Sequence, residues 1–157
     1  KKIMKKVNIN NFKKTLSKFP TGITVVCVKN NNKIYGKTVN SFNSLSLNPP
    51  MVLFSLGNRS SSINQFSKAK FLSINILSSK QKKLSDNFAS SEPKLNMINF
   101  IEGKNKTSII PGCIANLECK IIDKIKKGDH LIFVCKIIEL QSDDKLKPLI
   151  YFNSKYF

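Results

Sequence analysis

The chain reads as an all-β-dominated, antiparallel barrel carrying two or three short helices, and three observations lead there. Apolar and β-branched runs of strand length recur from Gly22 to Phe152, most of them bounded by turn-forming clusters. The stretches with helical spacing are short. The regular strand–helix alternation that a parallel doubly wound sheet needs is missing from both halves. With 157 residues and 41% apolar content, a core forms without metal or disulfide staples, so one domain over residues 1–157 is expected.

Taken in order, residues 8–19 place Phe12, Leu16 and Phe19 at helical spacing, and Pro20 ends the run. Gly22 to Lys29 is a β-branched strand, Asn30-Asn31-Asn32 a turn, and Ile34 to Asn40 the returning strand of a hairpin. Ser41 to Leu47 looks irregular, and Asn48-Pro49-Pro50 punctuates it before a strand from Met51 to Leu56. After the turn Gly57-Asn58-Arg59-Ser60, Ile63 and Phe66 share a helical face behind a serine N-cap. Phe71 to Leu77 is a further strand, and Ser79 is placed to cap a helix carrying Leu84 and Phe88. Residues 91–111 show no clear period and are expected to be loop with short elements. Two long strands follow, Cys113 to Ile125 and His130 to Leu140, around the turn Lys126-Lys127-Gly128-Asp129, and Leu149 to Phe152 closes the count at six or seven.

The net charge of +18 is distributed unevenly: residues 1–80 hold fourteen basic residues and no Asp or Glu, and the first acidic residue is Asp86. Such a field draws dinucleotides, nucleic acids and anionic surfaces alike. Arg59 is the single arginine, however, and arginine is the preferred reader of base edges, so the composition argues against specific nucleic-acid recognition. Cys27, Cys113, Cys119 and Cys135 lack paired spacing and sit in apolar runs, which makes them buried free thiols. No run reaches the roughly 18–20 apolar residues of a membrane span, and the basic start precedes no apolar signal core. A cytoplasmic protein is expected.

No glycine-rich dinucleotide fingerprint, P-loop, zinc-binding His-Glu-x-x-His or Gly-x-Ser-x-Gly elbow occurs, and His130 is the only histidine. Binding-led chemistry remains, in which a cofactor performs the hard step. The densest polar constellation runs from Thr38 to Pro50, where hydroxyl and amide groups crowd a strand end and the following loop. Residue type alone equally fits an ordinary Ser/Asn-rich connection there.

Six segments in register resolve that ambiguity: Phe19 to Val26, Thr38 to Pro50, Arg59 to Ser62, Phe71 to Leu77, Gly128 to Val134 and Pro148 to Tyr151. Together they resemble the flavin reductase-like family over about Phe12 to Tyr156. The resemblance implies a homodimeric split β-barrel of Greek-key type that binds FMN, or FAD in some members, and reduces it with NAD(P)H. It further implies service to a partner flavin-dependent monooxygenase. Residue by residue, Thr38, Val39, Asn40 and Ser41 resemble the flavin-lining stretch, with Asn40 toward the ring or ribityl chain and Ser41 and Ser44 offering polar contacts. Arg59, Ser60 and Ser61 resemble the phosphate-side loop, against the alternative of a solvated turn. His130 matches the family's Gly-Asp-His motif beside the flavin and nicotinamide, against a plain hairpin histidine. Thr24 and Asn75 are weaker candidates, and Tyr151 and Tyr156 fit core or dimer packing as well as flavin contact. Two other readings stay open: a flavin-binding barrel without turnover, and a basic nucleic-acid-binding barrel.

Overall fold

The structure is a computed structural model that describes Met4 and residues 6–157. Asn8 heads the first helix, its side-chain oxygen accepting the Asn11 N–H at 2.9 Å, and α1 runs Ile9–Leu16. It stops short of the expected Phe19 because the N–H groups of Lys18 and Phe19 bond three residues back, to Thr15 and Leu16, tightening the exit into Pro20. The expected strand from Gly22 to Lys29 divides into β1 (Thr21–Gly22) and β2 (Thr24–Asn30). The break at Ile23 exists because the two pieces pair with different partners: β1 with β11 (Ile150–Phe152), β2 with β3 (Lys33–Val39) and β6 (Phe71–Ile76).

Asn31 and Asn32 both take positive φ, 48° and 60°, and so make the two-residue turn that matches strand twist between β2 and β3. The segment read as irregular contains β4 (Asn43–Ser46), an edge strand on β5 (Met51–Gly57). Its side chains are mostly exposed, so backbone pairing alone holds it and no apolar period announces it. α2 (Ile63–Lys68) follows, but the Ser62 side chain makes no cap bond. A 3₁₀ turn at Ser79–Gln81 leads into α3 (Lys82–Ala89). There Ser78, not Ser79, is the heading residue: its N–H donates to Gln81 Oε1 at 2.9 Å. β7 (Ile101–Glu102) and β8 (Ser108–Ile109) pair within residues 91–111. The long hairpin is β9 (Ala115–Lys127) and β10 (His130–Ser142), turning at Gly128-Asp129 with Gly128 at φ 55°. Beyond the expected last strand, β12 (Lys155–Tyr156) folds back on β11 around Asn153 and Ser154, both at positive φ.

Seven strands form the main sheet in the order β3-β2-β6-β9-β10-β5-β4, with antiparallel neighbours throughout. Its interior is filled by Phe54, Phe66 and Phe133. Phe54 and Phe133 stack at 5.0 Å between ring centroids, and Phe66 meets both edge-on. A second core lies on the other side of β2, where Val25 and Cys27 meet Phe88 of α3, Leu77, Ile110 and Leu149. β2 is thus buried on both faces from Thr24 to Val28, which accounts for its unbroken apolar run. Gly36 lets α3 approach, since a Cβ there would meet the Phe88 ring.

Two buried polar residues organise residues 91–111. Asn75 accepts from the Ile110 N–H at 2.9 Å and the Asn116 side chain at 2.8 Å, and donates to the Val25 carbonyl at 3.0 Å. Glu118 accepts from the Lys104 and Asn105 N–H groups, each at 3.1 Å, and from the Thr107 hydroxyl. Both sit in strands where the residues themselves gave no sign of a loop to be held.

Candidate functional site

Antiparallel pairing brings the end of β3, the end of β5 and the start of β10 to one rim of the barrel. Thr24 of β2 lies opposite Val39, and His130 lies opposite Gly57. A groove of about 380 Å³ opens there. Thr38, Val39, Asn40, Ser41, Ser60 and His130, contributed by three separate segments, all line it. Lys37, Ser55, Leu56, Gly57 and Ala89 complete the lining and were not singled out from the sequence. Lys37 and Gly57 lie within two residues of a named candidate, Ser55 and Leu56 come with the end of β5, and Ala89 is brought in by α3.

Each side chain has a distinct attachment. The Thr38 hydroxyl donates to the Ser85 carbonyl of α3 at 2.7 Å. Val39 alternates inward, its methyls in the barrel core, so the groove meets its backbone rather than added side-chain bulk. Asn40 is exposed and makes no side-chain hydrogen bond among the described residues, leaving one donor group and one acceptor for a ligand. The Ser41 hydroxyl is engaged with the Ser55 backbone.

His130 stands half-exposed with its Nδ1 2.7 Å from Asp129 Oδ1. That hydrogen bond, and then the imidazole's charge, holds the Asp129 carboxyl below the usual carboxylate range, with Arg59 contributing from farther off. The Nε2 edge of the ring faces the Cα of Gly57, where no side chain intervenes. Ser60 donates its N–H to the Gly57 carbonyl at 2.9 Å, closing the turn that carries Arg59. Ser61 lies off the groove lining and donates its hydroxyl to the Ser91 carbonyl at 2.8 Å. Ser44 lies on β4, paired with Val52 and exposed, and does not line the groove.

The weaker candidates are structural. Thr24 is buried with its hydroxyl on the Val39 carbonyl, and Asn75 is the core amide described above. Tyr156 bonds Ser85 at 2.9 Å and packs on Tyr151 against the second core. All four cysteines are buried and unpaired, as their spacing suggested. Among the described residues no helix is long and apolar enough to cross a membrane, and no cluster of metal-ligating side chains occurs.

The groove fits a flavin on its own features. Asn40 offers both hydrogen-bonding polarities to a ring edge of alternating carbonyl and N–H groups; of the Arg59–Ser61 turn only Ser60 lines the groove, while Arg59 stands exposed beside it, outside the lining. A model of the flavin reductase like domain matches residues 16–157. An NADH-dependent FMN reductase of Agrobacterium fabrum is 34% identical over 137 residues, covering 87% of this chain and 79% of that one. The reductase component of a 4-hydroxyphenylacetate 3-monooxygenase from Thermus thermophilus is 32% identical, covering 92% and 93%. Among solved structures, the NADH:FAD oxidoreductase of Streptomyces globisporus, in complex with NAD and FAD fragments, superposes with a TM-score of 0.91 at 26% identity over 98% and 96% of the two chains. With the split-barrel architecture, the rim groove and a match along nine-tenths of its length, this chain belongs to the flavin reductase-like family.

Proposed function

We propose that this chain is an NAD(P)H:flavin oxidoreductase that holds FMN or FAD in the rim groove and supplies reduced flavin to a flavin-dependent monooxygenase. The observation that carries this reading is convergence: residues 38–41, Ser60 and His130 are far apart in sequence and line one groove. When bound, the flavin supplies the hydride acceptor, and the protein's task is placement of two ring systems within about 3–3.5 Å. The backbone of Thr38 to Ser41 forms one wall, Asn40 reads a ring edge, and the Arg59–Ser61 turn neutralises phosphate. His130, oriented by Asp129, bounds the side from which the nicotinamide enters and holds its Nε2 toward the groove floor at Gly57. No proton need move at hydride transfer, so His130 acts by position and field.

A homodimer is part of the same reading. α1 is amphipathic yet buries no residue, and Phe19 is 74% exposed. Leu16, Phe19 and Pro20 wall a hollow that shares Asn40 and Ser41 with the flavin groove, and Pro20 continues to Ile150, Phe152 and Phe157. A second copy covering this apolar face would place the groove beside the interface. A reducing compartment such as the cytoplasm suits four unpaired thiols, and the family match from residue 16 onward supports one domain.

The test is anaerobic stopped-flow absorbance after reconstitution with FMN and, separately, FAD, on adding NADH and then NADPH. Bleaching of the flavin band identifies the working pair. Flavin binding without bleaching would favour a non-enzymatic flavin barrel, and failure to bind either flavin would overturn the assignment.

A further inference from the structure

Lys37 is a charged residue in the groove wall that the family resemblance does not assign. Its ammonium donates to the Ser90 carbonyl at 2.5 Å, and the Ser61 hydroxyl donates to the next carbonyl, Ser91, at 2.8 Å. Side chains from β3 and from the β5–α2 turn therefore clip consecutive carbonyls of the segment leaving α3. Ala89, one residue earlier, borders the groove. The ammonium comes from the groove wall and the hydroxyl from the Arg59–Ser61 turn, and the two hold neighbouring peptide units.

The ammonium is electrostatically incomplete. Lys37 is partly buried, and burial holds its pKa below the ordinary lysine value. The ion pairs formed among the described residues are Lys29–Glu102, Lys104–Glu139 and His130–Asp129, so no carboxylate compensates it. A neutral carbonyl satisfies one of three donors and leaves the charge unpaired. An anion with several acceptor oxygens supplies both the charge and the remaining bonds.

We propose that Lys37 selects for the phosphate of the flavin, exchanging the Ser90 carbonyl for a phosphate oxygen when a phosphorylated flavin enters. The inference rests on the flavin reading above and adds a specificity-determining residue to it: the discrimination of FMN from riboflavin resides in Lys37. Ser61, released from Ser91 by the same exchange, adds a hydroxyl donor to the same anion.

The experiment is a fluorescence titration of the full apo chain with FMN and with riboflavin, using wild type, Lys37→Met, Lys37→Gln and Lys37→Arg. Wild type should bind FMN at least about tenfold more tightly than riboflavin, tenfold being the share of the one charge-assisted hydrogen bond from Lys37. Lys37→Met and Lys37→Gln should lower that ratio about tenfold while leaving riboflavin affinity within about twofold, and Lys37→Arg should keep most of it. Equal weakening of both flavins would reduce Lys37 to a clip for α3 and overturn the proposal. An unchanged FMN preference in a folded neutral variant would also overturn it. If a neutral variant does not fold, Arg59→Met decides: a preference for FMN that survives it supports the proposal, and equal affinities for the two flavins in that variant or in wild type overturn it. Turnover separates the two claims: NADH-driven bleaching without phosphate selection leaves the reductase assignment standing, and Lys37-dependent FMN binding without bleaching leaves this one.

Discussion

The Ser41 hydroxyl accepts the Ser55 N–H at 3.0 Å and donates to the Ser55 carbonyl at 3.1 Å. One side chain thus substitutes for a strand ladder between the end of β3 and β5, which are not neighbours in the sheet. The seam of the barrel is closed at the rim groove by a residue that also lines it.

Ser41→Ala should therefore act on stability as well as on the groove. Removing the hydroxyl leaves a part-buried N–H and C=O unmatched, at a cost of about 1–3 kcal/mol in urea unfolding. Ser41→Thr keeps the hydroxyl and should recover most of the loss. Unchanged stability in the alanine variant would mean that water replaces the bridge.

His130→Ala should lower the rate of NADH-driven flavin bleaching about tenfold or more while changing flavin affinity little, because its role is to bound the nicotinamide side. Asp129→Asn should produce a smaller fall. The Asp129 carboxyl is held below its ordinary value near 3.8, so the pair's contribution is present above that pH and fades as pH falls through the lowered value. A matched loss of flavin binding in His130→Ala would instead make it a flavin contact.

Burial raises the thiols: Cys113 to about 11, Cys135 to about 12, with Cys27 and Cys119 also pushed up. Native protein should resist a thiol reagent at pH 8, and all four cysteines should react on unfolding. Stability should decline as pH rises above the ordinary thiol value of 9.0, because the unfolded chain ionises first; the loss continues to about pH 11 for Cys113. Each thiol contributes a slope of up to about 1.4 kcal/mol per pH unit. Denaturant midpoints measured from pH 7 to 11 check the sign.

Glu118→Ala removes the acceptor of two backbone N–H groups and the Thr107 hydroxyl. We expect a destabilisation of about 2–3 kcal/mol and faster amide exchange at Lys104 and Asn105, with groove residues unaffected. Slow exchange retained at both amides would show that the loop holds itself.

Gly36→Ala places a methyl against Phe88 and should cost about 1–3 kcal/mol by displacing α3. Flavin affinity should fall with it, since α3 carries Ser85, the anchor of Thr38, and leads to Ala89 in the groove. Loss of stability without loss of affinity would detach α3 from the site.

The local chemistry of the chain was enough to determine its β-rich class, the Asn-rich and Gly-Asp turns, the long β9–β10 hairpin and the burial of the four cysteines. Those features depend on neighbours in sequence, on apolar period and on backbone preference. The in-register segments also pointed to the flavin reductase-like family, because motif order survives in the residues themselves. Tertiary structure alone decided the rest. Ile23 interrupts a β-branched run only because its two sides pair in different sheets. β4 is a strand only because β5 lies beside it, and residues 91–111 take shape only where Asn75 and Glu118, on strands outside that stretch, present buried acceptors. Lys37 and Ser61 reach adjacent carbonyls only after α3 packs on Gly36. Long-range pairing and the need to satisfy buried polar groups act between residues that sequence spacing does not relate.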